Sequence, residues 1–161
     1  HISSGLDYWH PGFAWACTRA AYEKMNGLYE LGILGSGDNI MAFALIQRVT
    51  AALHKESNDN YMKSVLEYQQ RVKTLRLGYV PGVIRHHFHG SKKNRKYRER
   101  WQILVSHKYD PITFIKKNND NLLIPSNICP KDYSIIFLYS KISHMVLIKF
   151  VKLLWIFHQS D

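Results

Sequence analysis

Gly35-Ser36-Gly37-Asp38-Asn39, running on into Ile40-Met41-Ala42-Phe43-Ala44-Leu45, is the stretch on which the fold turns. The glycines interrupt whatever precedes them, and Ser36 belongs to the residue types favoured as the N-cap of a following helix. Ile40, Phe43 and Ala44, with Met41 and Leu45, form apolar rows at helical spacing, which predicts a helix from Gly37 to about Leu53. Asp38 falls in its first turn, where unpaired backbone N–H groups and the positive end of the macrodipole complement a carboxylate. The flanking glycines carry no side chains, so a substrate hydroxyl can come close. Two readings of Asp38 follow: a cap for its own helix, or a general base toward that hydroxyl.

Upstream, residues 8–17 are aromatic and small around a Pro-Gly turn, and 13–17 read as a short strand. Thr18 is placed to cap a helix through about Met25, stopped by Asn26-Gly27, and 28–37 is a glycine-punctuated loop. Downstream, 54–60 is a polar loop. A third helix is predicted over 61–75, with Val65, Tyr68, Val72 and Leu75 on one face and Gly78 closing it. Residues 79–88, β-branched and aromatic around Pro81-Gly82, read as a strand or bent hairpin arm. Ser91 caps a fourth helix to about Lys108, with Tyr97, Trp101, Leu104 and Val105 inward, basic residues outward, and Tyr109-Asp110-Pro111 as its stop. A polar stretch with Pro125 and Pro130 comes next.

Residues 133–157 are strongly apolar but carry Lys141, Lys149 and Lys152 on one narrow helical arc. Three lysines at roughly 2.5–3.5 kcal/mol each near a bilayer midplane are too costly for a membrane span. The pattern is that of an amphipathic helix, packed on another part of the protein or lying on a membrane surface.

The chain has 161 residues, 46% of them hydrophobic, enough for one domain to bury a core unaided. Two cysteines, Cys17 and Cys129, are too few for a disulfide framework and lack metal-ligand spacing. No Asn-x-Ser/Thr sequon occurs, which favours a cytoplasmic or cytoplasmic membrane-surface location over a luminal one. His1 begins the chain with no charged-then-apolar leader after it, so it reads as an internal fragment. Lys and Arg number 22 against 12 Asp and Glu, a formal charge of +10 that attracts anions. Between Arg85 and Trp101 lie Arg85, Lys92, Lys93, Arg95, Lys96, Arg98 and Arg100, opposed only by Glu99.

That basic run adjoins His86, His87 and His89, at the end of the expected strand. Neutral imidazoles can bind a divalent metal while neighbouring Lys and Arg neutralise phosphate; the alternative is a set of surface or packing histidines. Zinc is disfavoured, since no Cys or Glu stands at a ligating interval. The run itself admits a solvated helix face, a nucleic-acid surface or a diphosphate clamp. The second lacks interleaved aromatics for base stacking, because Tyr97 and Trp101 fall on the apolar stripe.

The order of these pieces is similar to the C-terminal catalytic region of the β-1,4-galactosyltransferase family and related GT-A-fold inverting glycosyltransferases. The segment Gly12-Phe13-Ala14-Trp15-Ala16, the Asn26-Gly27-Leu28 turn, the glycine loop with its acid, Ile84-Arg85-His86 and Lys92-Lys93-Asn94 carry the likeness. It spans roughly residues 8–110, with 55–77 as a helical insertion. It implies an α/β fold, the C-terminal half of a GT-A domain, in residues 1–132, with 133–161 as an apolar-basic helical tail. It further implies transfer from a nucleotide sugar, most simply a UDP-sugar, to a carbohydrate or glycosylated acceptor, with Mn2+ or Mg2+. Asp38 matches the first acid of the family motif; Asn39 stands where the family's usual base would be, and Gly35 replaces an acceptor-stacking tryptophan. Either Asp38 takes over as base, or it holds the acceptor and the base lies one position away; Gly37, Asn39 and Trp15 are expected toward the acceptor. His86 matches the family's metal ligand, His89 is a second expected ligand without a family counterpart, and Lys92, Lys93 and Arg95 are expected on the diphosphate. A nucleic-acid-binding module using 92–108, or a non-catalytic scaffold fragment of the same fold, are the competing functions. No Asp-x-Asp metal motif occurs, so the nucleotide-binding half is expected to precede His1. The isolated 161-residue chain is then expected to show no donor hydrolysis with Mn2+ present, a reaction followed by nucleoside-diphosphate release.

Overall fold

The computed structural model describes residues 14–79, 81 and 97–131. These form four α-helices and a two-stranded antiparallel sheet, a mixed α/β arrangement. The expected arm at 79–88 falls, apart from Tyr79 and Pro81, outside the described residues, as do the first part of the helix from Ser91 and the tail 133–161.

Helix α1 (Arg19–Lys24) begins as predicted, the Thr18 hydroxyl accepting the N–H of Ala21 at 3.2 Å. It ends at Asn26, whose φ of 55° turns the chain so that Gly27 N–H reaches Tyr22 O and Asn26 N–H reaches Glu23 O. These paired bonds are a Schellman motif, and they satisfy carbonyls the last turn leaves open. Ahead of it, the strand expected over 13–17 is not formed: residues 14–17 are extended coil and exposed. A strand needs a ladder partner, and the ladder among the described residues, β1 with β2, does not include this segment.

Helix α2 (Gly37–Leu45) stops well short of the expected Leu53. Gln47 takes φ 60°, Arg48 N–H bonds Phe43 O, and Gln47 N–H bonds Ala44 O, a second Schellman ending without glycine. The stop is enforced from outside, since the Gln69 carboxamide accepts the N–H of Val49 at 2.8 Å. A 3-10 turn (Val49–Ala52) covers the rest of the predicted helix.

Helix α3 (Asp59–Val72) is capped by Asn58, whose side chain accepts the N–H of Asn60 at 2.8 Å. Tyr61, Val65, Tyr68 and Val72 recur at spacings of three and four and are buried, with Val65 fully so. The helix ends at Val72 with Lys73 as its C-cap, so Leu75 is a half-buried residue beyond it and Gly78 plays no part in closing it.

Helix α4 (Tyr97–Ser106) ends with Lys108 at φ 50°, Tyr109 N–H on Leu104 O and Lys108 N–H on Val105 O, a third Schellman motif. That turn drives Tyr109 inward, to 1% exposure. The stretch read only as polar then makes a hairpin: β1 (Ile115–Lys117) pairs with β2 (Leu123–Pro125), Lys116 opposite Ile124. Its loop is held by the Asn118 side chain, which accepts the N–H groups of Asp120 and Leu122, and Asn121 takes φ 61°.

The core gathers Ile33, Leu34, Ile40, Ala44 and Val49 against the α3 face, with Leu104, Tyr109 and Ile115 closing it. Each buried Val or Ile contributes about 1.5–3 kcal/mol by removal from water. Two edge-to-face pairs, Tyr29 with Tyr68 at 5.4 Å and Tyr61 with Tyr109 at 5.0 Å, lie within it. No helix of the described residues is long and apolar enough to cross a membrane.

Burial raises the phenols of Tyr29 and Tyr61 well above their ordinary range and pushes Tyr68 up to about 12, the Arg71 cation 5.3 Å from the Tyr68 ring centre opposing the shift. Above about pH 10 the denatured chain releases phenolic protons that the native protein retains, so stability falls as pH rises. Below that value these residues contribute no pH dependence. Phenolate absorbance should therefore rise together with loss of the far-UV circular dichroism for these three. The Tyr61 hydroxyl has no hydrogen-bond partner among the described residues. Tyr61→Phe should keep the ring contact and stabilise by about 1 kcal/mol in urea denaturation, since an unpaired buried hydroxyl carries its desolvation cost.

Candidate functional site

The segment from Tyr29 to Gly37 has few backbone partners of its own, and side chains from the other elements hold it. The Tyr29 and Ser64 hydroxyls are 2.8 Å apart, and Ser64 donates in turn to Tyr61 O. Tyr109 donates its hydroxyl proton to Leu31 O at 2.9 Å. Lys117 pairs with Glu30 at 2.8 Å; both side chains are half exposed, so this pair adds little. Arg100 donates from Nη1 to Leu34 O at 3.3 Å. Within the segment, Gly35 N–H closes on Gly32 O at 3.1 Å.

Gly35 and Ser36 are consecutive left-handed residues, with φ 97° and 68°. Ser36 is the N-cap residue by position, and Ile40 N–H bonds its carbonyl at 2.8 Å, but its hydroxyl makes no cap bond. The physical reason is the backbone. A capping hydroxyl reaches the N2 or N3 amide from an extended N-cap residue, which Ser36 is not. Asp38 takes over that function, its Oδ1 accepting the N–H of Asn39 at 2.8 Å. Its other oxygen, Oδ2, has no partner among the described residues, and the residue is half-buried.

The two glycines have reasons inside the fold. A Cβ at Gly37 would stand 3.3 Å from Tyr29 O, and one at Gly35 would stand 3.2 Å from Arg100 Nη1. The absence of side chains at these two positions thus also serves the fold's own packing. Between loop and helix α4 there remains a cavity of about 10 Å3, bounded by Leu34, Gly35, Ser36, Arg100, Trp101 and Leu104.

Of the residues expected to act together, Gly37, Asp38 and Asn39 occupy the first turn of α2, and Trp15 is exposed ahead of α1. His86, His89, Lys92, Lys93 and Arg95 lie outside the described residues. Among the described residues no three His, Cys, Asp or Glu side chains come together to hold a metal ion. The basic residues of α4 were expected to face outward. Arg100 instead turns half-buried onto the loop. The signal was present: Arg100 stands one helical turn before Leu104, on the row that packs inward. Tyr109, read only as part of a helix stop, is the other anchor that the sequence reading missed. No model of a known protein family, no curated protein and no solved structure matches this chain.

Gly35→Ala should destabilise by about 1–2 kcal/mol, the usual cost of a Cβ in the left-handed region, whether or not Arg100 moves aside. Gly78→Ala is its control: nothing lies within 4 Å of a Cβ there. Its midpoint in urea should hold or rise slightly, because alanine restricts the unfolded chain.

Proposed function

We propose that this chain is the acceptor-side part of a GT-A-fold, inverting glycosyltransferase that uses a nucleotide-sugar donor, with Asp38 as the base. One observation carries the reading. Asp38 stands at the start of α2 with Oδ1 engaged by the Asn39 amide and Oδ2 without a partner among the described residues. The loop before it is packed against α4, which follows the basic run 92–98 in the chain, through the Arg100–Leu34 contact. A carboxylate with one oxygen fixed by its own helix and the other without a partner among the described residues suits deprotonation of an acceptor, and the basic run that precedes α4 in the chain suits departure of a diphosphate. Residues held at positive φ without being glycine, as Ser36 is, gather at functional sites.

In this reaction Oδ2 of Asp38 takes the acceptor hydroxyl proton as the oxygen attacks the anomeric carbon. The bond from that carbon to the diphosphate oxygen breaks, the electron pair leaves with the diphosphate, and the configuration inverts. Lys92, Lys93 and Arg95 are the proposed diphosphate-binding residues, and Gly37, Asn39 and Trp15 the proposed acceptor side. The expected Mn2+ or Mg2+, with His86 and His89 as ligands, would stabilise the charge of the leaving group.

Asp38→Asn tests the assignment in the full-length protein supplied with UDP-sugars, Mn2+ and saccharide acceptors. An amide oxygen still accepts the Asn39 N–H, so the helix cap should be kept and stability should fall by no more than the lost charge–dipole attraction, about 0.3–1 kcal/mol. Removal of the base should lower kcat about 100- to 10,000-fold with little change in donor KM. Transfer by Asp38→Asn at the native rate would refute Asp38 as base, and a loss of stability alone would reduce the residue to a helix cap.

A further inference from the structure

We infer that Arg100 is a positioning residue for Asp38, acting through the backbone of the 34–36 turn rather than by touching substrate; this rests on the proposed role of Asp38. Three observations converge on it. The guanidinium donates to Leu34 O at 3.3 Å, the last carbonyl before the two left-handed residues. It also occupies the space that a side chain at position 35 would need, 3.2 Å from that missing Cβ. And the gap it shares with the loop is only about 10 Å3, scarcely one water's worth and far too small for a sugar or a phosphate.

The consequence follows from chain geometry. Gly35 and Ser36, both at positive φ, are the last two residues before α2, and Asp38 is two residues further on. Ser36 in the left-handed region costs about 1–2 kcal/mol, and the Arg100 contact adds to the local bonds of Gly35 N–H with Gly32 O and Ile40 N–H with Ser36 O in holding the turn. Arg100 supplies a fixed, always charged donor there, from a helix whose Leu104 is anchored in the core. When that contact is lost the turn can relax, and the carboxylate moves off the line of its acceptor. A displacement of about 1 Å is enough to cost up to ~100-fold in rate.

The experiment compares Arg100→Ala, Arg100→Lys, Asp38→Asn and the double variant Asp38→Asn/Arg100→Ala in the full-length protein, with UDP-sugar transfer and amide hydrogen exchange as readouts. Arg100→Ala should speed exchange about tenfold or more at Gly35 and Ile40, whose N–H groups bond Gly32 O and Ser36 O, and leave Tyr68 in α3 unchanged. It should lower kcat about 10- to 100-fold at constant donor KM, with partial recovery in Arg100→Lys. In the Asp38→Asn background the same change should cost nothing more, because residues acting as a unit are non-additive. A raised donor KM, or a kcat loss that persists in that background, overturns the inference in favour of direct substrate contact. Unaltered exchange at Gly35 and Ile40 overturns it as well. If Asp38→Asn transfers normally, the base assignment itself falls; if only Asp38→Asn is impaired, that assignment stands and the Arg100 role falls.

Discussion

The hydroxyl of Tyr109 on the carbonyl of Leu31 spans 78 residues of chain, and the arrangement of the other elements depends on that kind of contact. A segment without regular structure has to find partners for its backbone polar groups elsewhere, since a buried carbonyl left unpaired costs as much as a lost hydrogen bond. Here the partners are side chains. Tyr109 serves Leu31 and Arg100 serves Leu34, while Arg71 donates to Met25 O at 3.1 Å where α1 hands over to the loop. Arg71 sits on α3, Arg100 on α4 and Tyr109 just past the end of α4, so the loop inherits the rigidity of the core without contributing a ladder to it.

The ends of the helices follow the same logic. Asn26, Gln47 and Lys108 take positive φ, and in each case the following residue completes a Schellman pair of hydrogen bonds. A glycine at these positions would avoid roughly 1–2 kcal/mol of strain. The larger residues give something in return. Gln47 donates its side-chain amide to Ala44 O at 2.9 Å, and Lys108 reaches Glu56 O at 3.1 Å. The turn at Lys108 also aims Tyr109 at the ring of Tyr61 and at Leu31 O. One helix ending thereby creates the anchor for a loop far away in sequence.

Where the sequence was legible, local chemistry and tertiary need agreed. Thr18 and the Asn26-Gly27 stop mark α1 by short-range signals, and the Tyr61, Val65, Tyr68, Val72 spacing marks the buried face of α3. The position of Asp38 in a first helical turn was equally plain. The misses have a shared cause, which is that the deciding partner lies elsewhere in the chain. Gln69 helps end α2, although nothing near Gln47 announces a stop. Ser36 has capping chemistry but a left-handed backbone, following Gly35 at φ 97°, from which its hydroxyl makes no cap bond. The hairpin of β1 and β2 is short enough that its signal was the loop rather than the strands, in the cluster Asn118-Asn119-Asp120-Asn121. The histidines and the basic run before α4 lie outside the described residues, so their placement stays with the proposal.

Within that proposal, the departures from the family pattern become related to one another. Residues 55–77 are an insertion with respect to the resemblance, yet α3 supplies Tyr61, Val65, Tyr68 and Val72 to the centre of the core and Ser64 to Tyr29. The support under the loop therefore comes partly from an element the family pattern lacks. A tryptophan at position 35 would be strained by the same geometry, since φ is 97° and Arg100 Nη1 stands 3.2 Å from where its Cβ would be. Glycine is the residue that fits this turn without strain. Asn39 fits the same account. Its backbone N–H is what Asp38 Oδ1 accepts, so the main chain at position 39 orients the carboxylate whatever side chain stands there.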